Sequence, residues 1–262
     1  MFHRFTTTRV GIDITEDKVS AVMISRSGDT WRVNATAEIP RQQEALDTTL
    51  HQVRKALPYR GETTVAAIDY QRIISKTLTL PRSLSEQTLI DYLEAQAPHL
   101  FGQAGGSLYY DYFPMATNHQ QTVWQVLAAK RKDIQQIQMA SQSAGFKLAA
   151  IDVNVYALLR LRRLLPVDQQ IVAFLIIQAQ HVRCCVINQQ QLLYVVDVER
   201  HISLANSCQQ SLQFFYQAKP GISLDQLFLI GDRLPILAAQ TITGATTINA
   251  SVPDFSGLSG LL

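Results

Sequence analysis

Alternating apolar and polar positions over Arg9 to Ile14, Val19 to Ser25 and Trp31 to Ile39 predict three strands, with a turn at Ser27-Gly28-Asp29. Leu46, Leu50, Val53 and Leu57 then recur at helical spacing until Pro58, and Thr63 to Ile68 returns to strand. From Ile73 the chain alternates through Lys76, Leu78 and Leu80 to Pro81, where Ser83 and Glu86 make a capping box for a helix to about Ala97. Strand patterns at Leu108 to Phe113 and Thr122 to Ala129 precede a helix with Ile134, Ile137, Ser141 and Ala144 on one face and Gly145 at its C′ position. Leu148 to Val153 is again strand-like, and a helix through Tyr156, Leu159 and Leu164 ends at Pro166. Beyond the boundary Pro166-Val167-Asp168-Gln169 come strands at Ile171 to Ile177, Val182 to Ile187 and Leu192 to Val198, a helix over Ser203 to Gln217, and a strand at Leu227 to Ile230.

The series of meander, helix and strand therefore occurs twice, which implies two topologically similar halves. A meander followed by a helical crossover to a further strand is half of the ribonuclease-H-like and actin-like pattern. The block from about 81 to 146 interrupts the first half as a small α+β insertion.

Composition narrows the chemistry. Of 262 residues, 47% are hydrophobic and 17% charged, which excludes disorder as the main state. The net charge of +2 and the placing of Lys130-Arg131-Lys132 and Arg160-Leu161-Arg162-Arg163 beside helix ends leave no basic track for nucleic acid. Met1 to Thr6 has no signal-peptide core, and the longest apolar run, Ile171 to Ile177, falls far short of the ~20 residues a bilayer needs, so a cytoplasmic chain is expected. Cys184, Cys185 and Cys208 lack metal-ligand or redox spacing and read as buried free thiols. In a strand, His181 and Cys184 face opposite sides, so no zinc site is expected. Asp13, Asp69 and Asp152 at strand ends are candidate metal ligands of a nuclease or, in the plainer reading, turn formers. Tyr109 to Phe113 alternates, so one set of rings faces a peptide groove or packs under the neighbouring helix.

The two halves, the opening Val10-Gly11-Ile12-Asp13-Ile14, the stretch Ile73 to Pro81 and the segment Ala144-Gly145-Phe146-Lys147 to Asp152-Val153 resemble the PilM family of actin-like type IV pilus assembly proteins and its competence-type relatives. The resemblance implies an α/β, duplicated actin-like fold. Residues 1–80 and 146–165 would form the first large subdomain, 81–145 the inserted small one, and 166–262 a truncated second half. There Asp197-Val198-Glu199-Arg200-His201-Ile202-Ser203 runs straight into the helix, leaving no room for a second small subdomain.

It further implies a non-catalytic cytoplasmic scaffold of a pilus, competence or related secretion apparatus. Such a scaffold docks the N-terminal cytoplasmic peptide of a PilN-like inner-membrane protein and reaches the membrane only through that partner. Ile74, Lys76, Tyr110 and Tyr112 are the expected peptide-lining residues. Family members with an intact pocket hold ATP with a divalent metal between the halves, but this chain departs from the phosphate loops. Thr15-Glu16-Asp17-Lys18 stands where glycine and small hydroxyl residues belong, Gln178-Ala179-Gln180 replaces Asp-x-Gly, and the adenosine end keeps only Ile230-Gly231-Asp232-Arg233. Gly11, Asp13 and Gly231 are then relics, and no cofactor or metal is expected. The alternatives are a working actin-like ATPase or filament former using ATP and magnesium, and the cytoplasmic part of a GspL-like type II secretion protein.

Overall fold

The computed structural model describes residues 7–28, 30–41, 44–162, 171–189, 191–200, 203–231 and 250–251. The boundary at Pro166 to Gln169, the N-terminal Met1 to Thr6, and Asp232-Arg233 lie outside them. The chain divides into two units, one ending at Asn154 and one beginning at Val155.

In the first unit, β1 (Thr7–Ile14), β2 (Lys18–Ser27) and β3 (Thr30–Pro40) form the antiparallel meander; α1 (Leu46–Ala56) crosses to β4 (Thr63–Ile68), parallel to β1. After an insertion, α3 (Arg131–Ser143) leads to β8 (Lys147–Val153), and the sheet reads β3-β2-β1-β4-β8. Val10, Ile12, Val19, Ala21, Met23, Ala66 and Ile68 point to the face covered by α1 and α3 and are buried. Gly145, with φ of 76°, ends α3 as its sequence position predicts, because the left-handed region penalises any Cβ. Tyr59 ties α1 to the sheet: its hydroxyl donates to Glu62 O (2.9 Å) and accepts from the Lys147 N–H (2.7 Å), and Phe146 packs edge-on against its ring.

The insertion comprises β5 (Ile73–Pro81), α2 (Glu86–Phe101), β6 (Leu108–Thr117) and β7 (Gln121–Lys130), with the three strands in the order β5-β7-β6. Three sequence expectations change here. β5, assigned above to the large subdomain, pairs with β7 along its whole length, while α3 packs on α1. The helix cap is Ser85, not Ser83: the Ser85 hydroxyl accepts from the Thr88 N–H at 3.2 Å, and Glu86 is the first helical residue. Finally, α2 runs through Pro98 to Phe101, because burying Phe101 against Leu93, Ala97 and Leu108 outweighs the lost backbone bond.

α4 (Asn154–Leu161) spans the division between units. In the second unit, β9 (Val172–Ile177), β10 (His181–Ile187) and β11 (Leu192–Glu199) form a meander, α5 (Leu204–Ala218) crosses to β12 (Gln226–Gly231), and the two-residue β13 (Ala250–Ser251) completes the order β11-β10-β9-β12-β13. That is the order of the first sheet, element for element. Residues 200–203 alone separate β11 from α5, so no subdomain is inserted there. Val182, Cys184 and Val186 face Cys208, Leu212 and Phe215 of α5; on the other face Arg183, 1% exposed, forms a bidentate pair with Asp197 at 2.7 and 3.1 Å.

All three cysteines are free and buried. Burial pushes the Cys208 thiol up from 9.0 to about 12, against a smaller downward pull from Arg200, and also raises Cys184 well above its ordinary value. A thiol whose pKa is raised on folding stabilises the fold fully below its unfolded value and loses that contribution as pH climbs through the folded one. Denaturant midpoints should therefore fall as pH rises above 9, and the slope should flatten in a Cys184→Ala, Cys208→Ala double variant.

Candidate functional site

The two turns at which an actin-like fold would meet phosphates are built alike. Between β1 and β2, the Thr15 N–H donates to Lys18 O at 3.0 Å and the Lys18 N–H donates to Thr15 Oγ1 at 3.2 Å. The Thr15 hydroxyl also donates to Asp17 Oδ1 at 2.6 Å. Arg41, the residue after β3, donates its backbone N–H to Asp17 O (2.6 Å) and a guanidinium N–H to Thr15 O (2.8 Å). Between β9 and β10, the Gln178 N–H donates to His181 O at 2.9 Å. Arg200, the residue after β11, repeats both arginine contacts, with its N–H on Gln180 O (2.7 Å) and its guanidinium on Gln178 O (3.2 Å). Sequence reading missed Arg41 and Arg200. The available signal was their common place, directly after the third strand of each half.

Gly11, Asp13 and Gly231, expected to be relics, differ in their surroundings. Gly231 pairs with Ile177, and a Cβ there would fall 2.7 Å from Ile177 O, so strand packing alone requires a glycine. At Gly11 a Cβ would make ordinary contact with Val22. Asp13 is exposed on β1 and shares a cross-strand row with Ala67 and Asp152. Two strand spacings separate the backbones of Asp13 and Asp152 by about 10 Å, with Ala67 between them. Asp69 caps a short turn, accepting from the Gln71 N–H at 2.8 Å and from Asn154 Nδ2 at 3.2 Å. No group of three or more His, Cys, Asp or Glu suited to a metal occurs among the described residues.

Ile74, Lys76, Tyr110 and Tyr112 all lie on the α2 face of the three-stranded sheet. Ile74 and Tyr110 flank Ala128, and Lys76 and Tyr112 flank Val126, both fully buried under α2. The helix therefore separates the β5 pair from the β6 pair. Tyr112 donates to Glu86 Oε1 at 3.0 Å and meets Trp124 edge-on, while Tyr110 packs against Phe101. Burial, then the Glu86 carboxylate, raises the Tyr112 pKa. Lys76 is exposed. Tyr109, on the opposite face, lies beneath the Arg131 guanidinium at 4.0 Å.

Residues 11–201 match the family described as type IV pilus assembly protein PilM. The chain belongs to that family. The fold agrees: a solved PilM-PilN type IV pilus biogenesis complex superposes with a TM-score of 0.76 at 14% identity, over 96% of this chain and 90% of that one. The cytoplasmic domain of EpsL, an inner-membrane component of the Vibrio cholerae type II secretion system, gives 0.56 at 14% identity, covering 95% and 87%. A Bacteroides thetaiotaomicron protein with an actin-like ATPase fold and unknown function gives 0.55 at 13% identity, covering 91% and 86%. The fold of this PilM family member is thus actin-like. Among its described residues no helix is long and apolar enough to cross a membrane.

The arginine contacts in this PilM family member have a measurable weight. Charge-assisted bonds to half-buried carbonyls contribute about 1.5–3 kcal/mol at most. Arg41→Ala should lower stability to denaturant by up to that amount and speed amide exchange at Thr15 and Lys18. Arg200→Ala, at an exposed site, should cost less.

Proposed function

We propose that the chain is a non-catalytic scaffold of a type IV pilus or related apparatus, brought to the inner membrane by a PilN-like partner whose N-terminal cytoplasmic segment it docks. The closed state of the two turns is the observation that supports a scaffold over an ATPase. A loop that cradles phosphate points free N–H groups at the anion. Here the Thr15, Lys18 and Gln178 N–H groups are engaged within their own turns. Glu16 and Asp17 are exposed at the first turn, and a like charge at about 4 Å costs on the order of 4 kcal/mol at an effective dielectric near 20. Asp13 on this reading is a relic. Calorimetric titration with ATP and magnesium should give no micromolar binding and no phosphate release; micromolar binding abolished by Asp13→Ala would restore the ATPase.

For docking, the open edge of β5 is the favoured place. Lys76, Thr77 and Thr79 are exposed along it, and strand addition would supply main-chain hydrogen bonds with side-chain specificity from Ile74 and Lys76. On the far side of α2, the Tyr112 hydroxyl is bound to Glu86, so Tyr110 and Tyr112 act there as the support of the helix. Lys76→Glu should weaken binding of the PilN-like N-terminal peptide about tenfold, or ~1.4 kcal/mol, while Tyr112→Ala should change it less. Unchanged affinity in Lys76→Glu would move the site away from β5.

A further inference from the structure

We infer that Gln125, on the central strand of the insertion, is a positioning residue for the docked peptide: by holding the Ser75 and Thr77 hydroxyls against the sheet, it keeps the main-chain groups of β5 open for strand addition. This rests on the docking of the PilN-like peptide at β5. Gln125 is 9% exposed and lies on the face opposite α2, since its neighbours Val126 and Ala128 are the ones packed under that helix. Its Nε2 donates to Ser75 Oγ at 2.7 Å and to Lys76 O at 3.2 Å, and its Oε1 accepts from the Thr77 hydroxyl at 3.3 Å. All of these bonds reach β5, although Gln125 sits between Thr77 on that strand and Phe113 on β6.

The sheet itself does not call for an amide at this position. Val123 and Leu127, before and after it on the same face of β7, are apolar, and a buried amide is costly unless its groups are satisfied. Here they are satisfied by residues 75–77, the segment that carries the proposed edge.

The parity of β5 identifies the main-chain groups that this edge offers. The Ile73 N–H donates to Tyr70 O and so points away from β7. Alternation then turns the N–H and C=O of Ser75, Thr77 and Thr79 outward, and Pro81, which has no N–H, falls at the next outward position. Among the described residues β5 pairs only with β7. Serine and threonine hydroxyls readily bond nearby main-chain groups, which competes with ladder pairing. With Gln125 as their partner, the Ser75 and Thr77 hydroxyls are committed to the face of the sheet, and an incoming strand meets main-chain groups for which they do not compete.

Calorimetric titration of the full chain with a synthetic peptide of the PilN-like N-terminus, accompanied by hydrogen exchange, tests this. Gln125→Leu should bind about tenfold more weakly, the weight of about one net hydrogen bond, with an unchanged circular dichroism spectrum. Adding Ser75→Ala and Thr77→Val to that variant should restore the affinity, because no hydroxyl is left to compete; a role in packing alone would not be rescued in this way. Should Gln125→Leu fail to fold, Gln125→Asn, a methylene short of the same partners, carries the same expectation and the same rescue. Unchanged affinity in the Gln125 variant, or weakened affinity that the two further substitutions do not restore, overturns the inference, while protection of wild-type β5 by the peptide leaves the docking reading standing. A wild-type chain that does not bind the peptide, or binds it without protection of the Ser75, Thr77 and Thr79 amides, overturns both.

Discussion

A backbone N–H satisfies one acceptor well, and at the two strand turns where this fold could meet an anion the N–H groups of Thr15, Lys18 and Gln178 are already committed. Thr15 and Lys18 bond to each other, and Gln178 bonds to His181. The carbonyls of the same turns are capped by Arg41 and Arg200. Each closure links the first hairpin of a half to the end of its third strand, so the meander, the turn and the exit toward the crossover helix form one hydrogen-bonded corner. Because the same corner is built twice, the duplication extends below strand order to individual contacts.

The proposed docking surface lies elsewhere, where a sheet edge leaves polar backbone incompletely covered. In the insertion, α2 protects the middle of a three-stranded sheet and leaves β5 and β6 as edges among the described residues. In the second unit, α5 covers the core up to β11, whose residues Leu192 to Val196 are all apolar. A scaffold needs such edges more than it needs a cleft, since main-chain pairing supplies affinity and a few side chains supply specificity. Membership of the PilM family and the actin-like fold fit this distribution.

Most strands were legible in the sequence because their alternation is local: the meander at 9–39, the Gly145 stop and the second meander at 171–198 appear within a few residues of where they were read. Misreadings arose where tertiary packing outranked local signals. The sequence reading ended the helix at about Ala97, yet the burial of Phe101 carries it on past Pro98. The capping-box spacing pointed to Ser83, whereas the Thr88 N–H selects Ser85. Sheet membership of β5 was invisible because its partner, β7, begins 40 residues after β5 ends. At the candidate site, the lack of glycine in Thr15-Glu16-Asp17-Lys18 was legible, but the contacts these residues make were not. Arg41 and Arg200 act on residues 26 and 22 positions away, beyond any periodicity. The tyrosine parity gave Tyr110 and Tyr112 a shared face and left open whether that face is a peptide groove or packs under the neighbouring helix.

Hydrogen exchange on the full chain, with Mg-ATP and then with the PilN-like N-terminal peptide, tests the scaffold account most directly. The closed turns predict no added protection at residues 15–18 and 178–181 with nucleotide, and protection along β5 with peptide. Nucleotide-dependent protection of both turns, with β5 unchanged by peptide, would contradict it.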